Sequence, residues 1–287
     1  MAEFDNFVAI DWSGAAGERH QGIAVALCAA GAAAPVLIRP GHRWSRTEVP
    51  AWLLDDLPPR TLVGLDLGAS LPFADRGAFF PGWDESPPDA RGLWSLVDRL
   101  CAGDAHLGAA SFVDHPSAAP HFRRHGGREG AAFGGGAGRM RRTEEAQRQL
   151  GCRPTSNFNL VGAAQVGKAS LTGMRVLHRL AGRLPVWPFD PVPSAGSVVV
   201  EIYTAISALA AGRRAGRSKM RDTAELDAAL RALGSAPAAL PDPLNDHQCD
   251  ALVAAAWLRI AAGDGALWCP PGLEAVRFTE GWTFGAP

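Results

Sequence analysis

Short, unbroken apolar runs punctuate this chain, and several end on an acidic residue. Phe7-Val8-Ala9-Ile10 runs into Asp11, Leu62-Val63-Gly64-Leu65 into Asp66, and Val198-Val199-Val200 into Glu201. Aliphatic runs without polar alternation are the pattern of strands buried on both faces, as in the parallel part of a sheet. The pattern predicts strands at 6–11, 21–28, 35–39, 61–67 and 197–203. Wider, helical spacing predicts helices over 46–56 with Ser45 as N-cap, and over 92–102, 144–150, 173–181 and 223–233. A last helix is expected over 246–262, capped by Asn245 and stopped near Gly263. Repeats and coiled-coil heptads are not found.

Between the fourth and fifth strands, roughly 74–195, Pro and Gly are dense and regular elements are few. Long irregular stretches inside a compact domain are usually functional or disordered, so this one reads as an insertion within a single domain spanning 1–287. Its segment 123–142 holds six arginines against one glutamate and the run Gly134-Gly135-Gly136. Three readings stay open for it: a solvated, mobile loop; a phosphate grip by Arg139, Arg141 and Arg142; or a lid over a small substrate. A second basic patch, Arg213, Arg214, Arg217, Lys219 and Arg221, precedes the helix at 223.

Composition narrows the classes. Apolar residues make up 47% and charged residues 20%, which is ordinary globular usage and excludes wholesale disorder. The formal net charge of −1 gives no global pull toward nucleic acid, so any such pull must be local. Five cysteines, an odd number with no C-x-x-C pair, disfavour a disulfide framework and a structural zinc site. The N-terminus lacks a basic, long-apolar leader, and nothing approaches a run of about 18 apolar residues, so a cytoplasmic protein without membrane spans is expected.

The chemistry lies in the acids. A carboxylate in or beside an apolar strand is costly unless paired, hydrogen-bonded or bound to a metal. Asp11, Asp66, Glu201 and Asp250 together suggest a metal cluster. Three strands, a helix, a strand, an insertion, a strand and a helix is the order of the RNase H-like fold. There the first and fourth strands pair in parallel, so Asp11 and Asp66 face one another, and the last helix brings its N-terminal turn to the same end of the sheet. Asp246 and Asp250, at i and i+4, share a helix face. Such carboxylates suit Mg2+ or Mn2+ better than zinc, and paired cations of this kind activate water against a phosphodiester.

The segments Val8-Ala9-Ile10-Asp11-Trp12-Ser13-Gly14, Val63-Gly64-Leu65-Asp66 and Val200-Glu201-Ile202-Tyr203 resemble a family of predicted RNase H-like nucleases catalogued as a domain of unknown function. The stretch 246–251 and the ending Glu280-Gly281-Trp282-Thr283-Phe284-Gly285 resemble the same family. His247-Gln248-Cys249-Asp250-Ala251 is also similar to the H-x-x-D-A helix start of Holliday-junction resolvases. The resemblance implies a five-stranded mixed sheet flanked by helices, with Asp11, Asp66 and Asp250 as metal ligands assisted by Asp246 or His247. Glu201 is implied as a fourth ligand or a supporting group. Asp11-Trp12-Ser13-Gly14-Ala15 is similar, too, to the first phosphate loop of actin-like ATPases and sugar kinases. The second phosphate loop and the adenosine-binding Gly-Gly of that superfamily are not found.

Two functions follow as expectations. One is a metal-dependent nuclease or phosphodiesterase. The other is a non-nucleolytic protein of the same fold, either a small-molecule phosphotransferase or a binding protein. Partners would be nucleic acid or a small phosphorylated substrate. Trp12 is a candidate for stacking on a base or sugar, with core packing as its other reading. Ser13 and Lys168 are further candidates for substrate contact, and His115 and His121 read as loop histidines.

Overall fold

A computed structural model describes residues 3–126, 128–162, 165–214, 219–220, 222–238, 240 and 244–287. Arg217 and Arg221 of the basic patch lie outside the described residues. The chain opens with β1 (Asn6–Asp11), β2 (Ala24–Ala29) and β3 (Val36–Leu37), followed by α1 (Glu48–Asp55) and β4 (Thr61–Asp66). The long middle segment carries α2 (Ala90–Leu100), α3 (Ala110–Asp114), the hairpin β5 (Arg123–Arg124) and β6 (Arg128–Glu129), α4 (Arg142–Gln149), α5 (Val166–Leu180) and β7 (Val186–Trp187). It leads into β8 (Val198–Glu201), α6 (Thr204–Ala210), α7 (Thr223–Ala232), α8 (Asp246–Ala261) and α9 (Leu273–Val276).

The main sheet is mixed, six-stranded and ordered β3-β2-β1-β4-β8-β7. β1 is antiparallel to β2 and parallel to β4, and β4, β8 and β7 continue in parallel. All five expected strands are present and the first and fourth are neighbours, as the apolar runs predict. The sixth, β7, was not expected. Alternation of side chains sorts the sheet into two faces. Val8, Ile10, Val63, Leu65 and Val199 pack with α1, α2 and α5. Phe7, Ala9, Leu62, Val198 and Val200 pack with α6, α7 and α8. Each fully buried aliphatic side chain on these faces contributes about 1.5–3 kcal/mol of burial. Gly64 lets α8 lie close, because a Cβ there would meet Ile202 and Leu258.

The stretch 74–195 differs from the expected loop-rich insertion. It supplies two of the three helices of that layer, α2 and α5, with Phe79, Phe80, Trp94, Phe112 and Phe133 fully buried, and it adds the edge strand β7. The segment 123–142 is likewise anchored, with Arg139 and Arg141 buried, rather than extending freely into solvent. Among the described residues no single helix is long and apolar enough to cross a membrane.

Candidate active site

Asp11 and Asp66 are the last residues of β1 and β4 and are direct register partners. In a parallel pair, partners project to the same face, so both carboxylates stand on the face covered by α8. The first turn of α8 closes over them. Asn245 caps that helix, its Oδ1 accepting from the backbone N–H of His247 at 2.9 Å and of Gln248 at 3.4 Å. His247 Nδ1 then donates to Asp11 Oδ2 at 2.6 Å, while half of its side chain stays exposed. The Asp66 oxygens accept from the backbone N–H of Thr204 at 3.3 Å and from its hydroxyl at 3.2 Å.

The electrostatics are those of crowded, under-compensated acids. Burial, then the charges of Asp11 and Asp250, push the Asp66 carboxyl well above its ordinary value, against the Thr204 N–H. Burial and Asp11 push Asp250 up to about 7, with Asp246 adding to the rise and His247 and Lys219 opposing it. The hydrogen bond to Asp11 raises the His247 imidazole. Asp246 is turned to Lys219, with which it makes a close ion pair. Asp11, Asp66, Asp250 and His247 therefore form one coupled group, and Asp246 stands at its margin.

Glu201 belongs to a different assembly. Its register partner is Leu65, so it projects from the opposite face. Both of its oxygens are already occupied. Oε1 accepts from Arg141 Nη2 at 2.6 Å and Thr283 Oγ1 at 2.5 Å, and Oε2 from Arg141 Nη1 at 2.8 Å and the Ala69 N–H at 2.6 Å. It is a buried tie beside the carboxylate group rather than a ligand within it.

The arginine expectation is corrected as well. Arg141 is 1% exposed and divides its guanidinium between Glu201 and Glu144, whose Oε1 it meets at 2.6 Å. Burial pushes Glu144 up to about 7 despite this partner, and Glu201 adds to the rise. Arg139 is 2% exposed, forks onto Asp75 at 2.7 Å through both Nε and Nη2, and donates Nη1 to the carbonyl of Phe79. Neither guanidinium is free to grip phosphate. Arg142 is exposed but pairs with Glu145 at 3.0 Å, while its backbone N–H donates to Glu280. Glu280 also accepts from the N–H groups of Phe73 and Ala74, so the C-terminal segment clamps the base of this loop.

Trp12 is buried and donates Nε1 to Thr172 Oγ1 at 3.1 Å, so it packs in the core while one edge also lines the cleft. Ser13 lines a cleft of about 470 Å3 that runs off the end of the sheet. Asp66, Arg153, Gln165 and Tyr203 line it too. Gly14 is required where the loop after β1 meets α5, since a Cβ there would collide with the backbone of Lys168 and Ala169. Lys168 adjoins that loop, with Nζ 3.3 Å from His125 Nε2, rather than lining the cleft. His115 stacks on Trp83, and His121 is buried against Phe80. Of the lysine and arginines of the second basic patch, Lys219 faces the site through Asp246 and Arg213 pairs with Glu225.

Sequence reasoning missed Thr204, Tyr203 and Arg153. Thr204 and Tyr203 carried a usable signal, because they directly follow the strand that ends at Glu201. Burial pushes the Tyr203 phenol up to about 12, so it remains protonated in the cleft. Arg153 stands in a loop and carried no local signal.

Among the described residues no group of three His, Cys, Asp or Glu side chains already converges as a metal cage. The donor set nonetheless suits a hard cation. Three carboxylates with unrelieved mutual repulsion are oxygen ligands of the type Mg2+ and Mn2+ take, with waters completing the shell. In this structure Asp11 and Asp66 are engaged with His247 and Thr204. No family model, no curated protein and no solved structure matches this chain.

Proposed function

We propose that the protein is a divalent-metal-dependent phosphodiesterase of nuclease type on an RNase H-like fold. The observation that carries this is the in-register pair Asp11 and Asp66, with Asp250 in the first turns of α8 near enough for its charge to raise the Asp66 carboxyl. Asp11, Asp66 and Asp250 would hold the cation, with Asp246 beside them. Bound Mg2+ or Mn2+ would supply a Lewis-acid charge and a water of lowered pKa. His247 is oriented through Nδ1 by Asp11 and keeps a raised proton affinity, so Nε2–H can protonate a departing oxygen. The Tyr203 hydroxyl and the Ser13–Gly14 loop position the substrate in the cleft. On this reading 74–195 is an elaboration that builds the cleft wall. The compartment is the cytoplasm, where the free cysteines stay reduced.

The test is an activity panel with Mg2+, Mn2+ or chelator, over single strands, RNA–DNA hybrids, branched junctions and small phosphoesters. Metal-dependent cleavage of a phosphodiester, lost in Asp66→Asn by at least about 100-fold, is expected. Cleavage that persists in chelator or in that variant would overturn it. The second reading, a small-molecule phosphotransferase, draws on the 470 Å3 cleft walled by the loop after β1 and by α5, a size that suits one nucleotide-sized ligand. Transfer to a small acceptor with no diester cleaved would select it.

A further inference from the structure

A second cavity, of about 240 Å3, lies on the other flank of the carboxylates, between β2, the loop after β3 and the start of α8. We propose that it is a binding subsite for the phosphates of a nucleic-acid strand that crosses the site. This rests on the phosphodiesterase reading and deepens it from a reaction class to a substrate geometry.

The lining is selective. Arg39 and Arg43 provide cations, and Gln21, Asn245 and Gln248 provide amides; no carboxylate is among the lining residues, and His42 is tied at 3.3 Å to Glu48, which stands outside the lining. Arg43 is exposed, and its guanidinium has no ion-pair partner among the described residues. Arg39 is committed only by an exposed 3.5 Å pair with Asp56. Its backbone sits at φ 54°, a conformation that costs free energy in a non-glycine residue, and its guanidinium lies over the Trp44 ring at 4.9 Å. The loop thus holds Arg39 at the cavity despite the local strain.

Position ties the cavity to the site. Ala24 in its wall is the register partner of Asp11, and Gln248 follows His247 on α8. Gly22, between Gln21 and Ile23 of the lining, lies against both Ser13 and His247, since a Cβ there would stand 3.3 Å from Ser13 and 3.4 Å from His247. In the strand order the acids on β1 and β4 are therefore flanked by this cavity at β2 and by the Arg153 cleft at β8. The outer strands of this row, β2 and β8, are three inter-strand spacings or roughly 14 Å apart, and Ser13 joins the near edges of the two cavities. A strand carrying a charge about every 3.4 Å can follow the whole row, from Arg39 and Arg43 past the acids to Arg153. The geometry favours cleavage inside a strand over removal of a terminal phosphate.

The experiment measures binding of a fluorescein-labelled single-stranded 20-mer by anisotropy in chelator, across a salt series. It compares wild type with Arg39→Ala/Arg43→Ala. Arg179→Ala/Arg183→Ala, at the far end of α5, removes equal charge elsewhere, and Arg39→Lys/Arg43→Lys restores charge in place. The cavity double variant is expected to bind about 10-fold more weakly and to flatten the salt slope by about 1.4, that of two single-strand phosphates. The α5 variant should keep the wild-type slope, and the lysine variant should recover most of the lost slope, which excludes misfolding as the cause. Equal losses in the cavity and α5 variants would overturn the subsite even if wild type cleaves DNA. Arginine-dependent binding without metal-dependent cleavage would keep the subsite and sink the phosphodiesterase reading. Absence of binding by wild type would overturn the subsite outright.

Discussion

Asp11 and Asp66 stand opposite each other at the ends of two parallel strands, one register step from apolar core on either strand. Parallel pairing forces both side chains to one face, so the fold itself holds two carboxylates together at a cost in electrostatic repulsion. Such strain persists only where the surrounding structure over-determines it, which is why this pair anchors the functional reading.

Arg141 is expected to be a structural residue. Its removal leaves Glu144 and Glu201 buried without their shared cation, which in general costs about 3–5 kcal/mol. Urea denaturation of Arg141→Ala should show a loss of that size. A loss below about 1 kcal/mol, coupled to weaker nucleic-acid binding, would return this arginine to the phosphate-contact role.

Glu144 gives a pH dependence with a definite sign. Its folded value, about 7, lies above its ordinary one of 4.5, so the stabilisation is complete below pH 4.5 and is lost as pH rises toward 7. Glu144→Gln keeps the side-chain shape and should remove this slope, making the variant relatively more stable than wild type at pH 8 than at pH 4.5, by about 3 kcal/mol. Parallel stability–pH curves for the two proteins would contradict the assignment.

His121 works in the opposite sense. Burial first, then Arg139 and Arg76, lower its imidazole from 6.5 to about 4, so the native state holds it neutral. Stability from this group is present above pH 6.5 and is lost as pH falls toward 4. His121→Phe, placed against Phe80 and Phe158, should flatten that acid limb by about 3 kcal/mol. An unaltered acid limb would mean that His121 titrates normally.

His247 is separable from the ligands. His247→Gln should slow diester cleavage by about 100-fold or more, as loss of a general acid does, while leaving Mn2+ binding intact. Loss of Mn2+ binding in this variant would instead make the imidazole a ligand.

Much of the sheet was legible because its signal is local. The aliphatic runs ending at Asp11 and Asp66 specify buried parallel strands, and Asn245 marks the start of α8. The helix expected at 46–56 runs Glu48–Asp55 with Thr47 rather than Ser45 in the N-cap position, although the Ser45 hydroxyl accepts from the Glu48 N–H at 3.1 Å and Glu48 accepts from the Ser45 N–H at 2.7 Å. The middle was less legible for identifiable reasons. The helix expected at 173–181 instead runs Val166–Leu180, taking in Gly167 and Gly173. In the structure they make room for Leu160 and Leu67, which press on the helix. Arg139 and Arg141 read as solvent or phosphate residues because Asp75, Glu201 and Glu280 lie far away along the chain. Glu201 stood open as a fourth ligand or a supporting group, and only its register against Leu65, one step from Asp66, turns it to the opposite face.

The most direct test of the central claim is the melting temperature of wild type and Asp66→Asn, each with chelator and with excess Mn2+. A cation held by Asp11, Asp66 and Asp250, at about 100 times its Kd, adds about 2.7 kcal/mol. At roughly 2–4 °C per kcal/mol for a large domain, wild type should rise by about 5–10 °C. Asp66→Asn should show no rise, and its chelated form should melt at or above chelated wild type, because one of the repelling charges is gone. An equal Mn2+ response in both proteins would contradict the account.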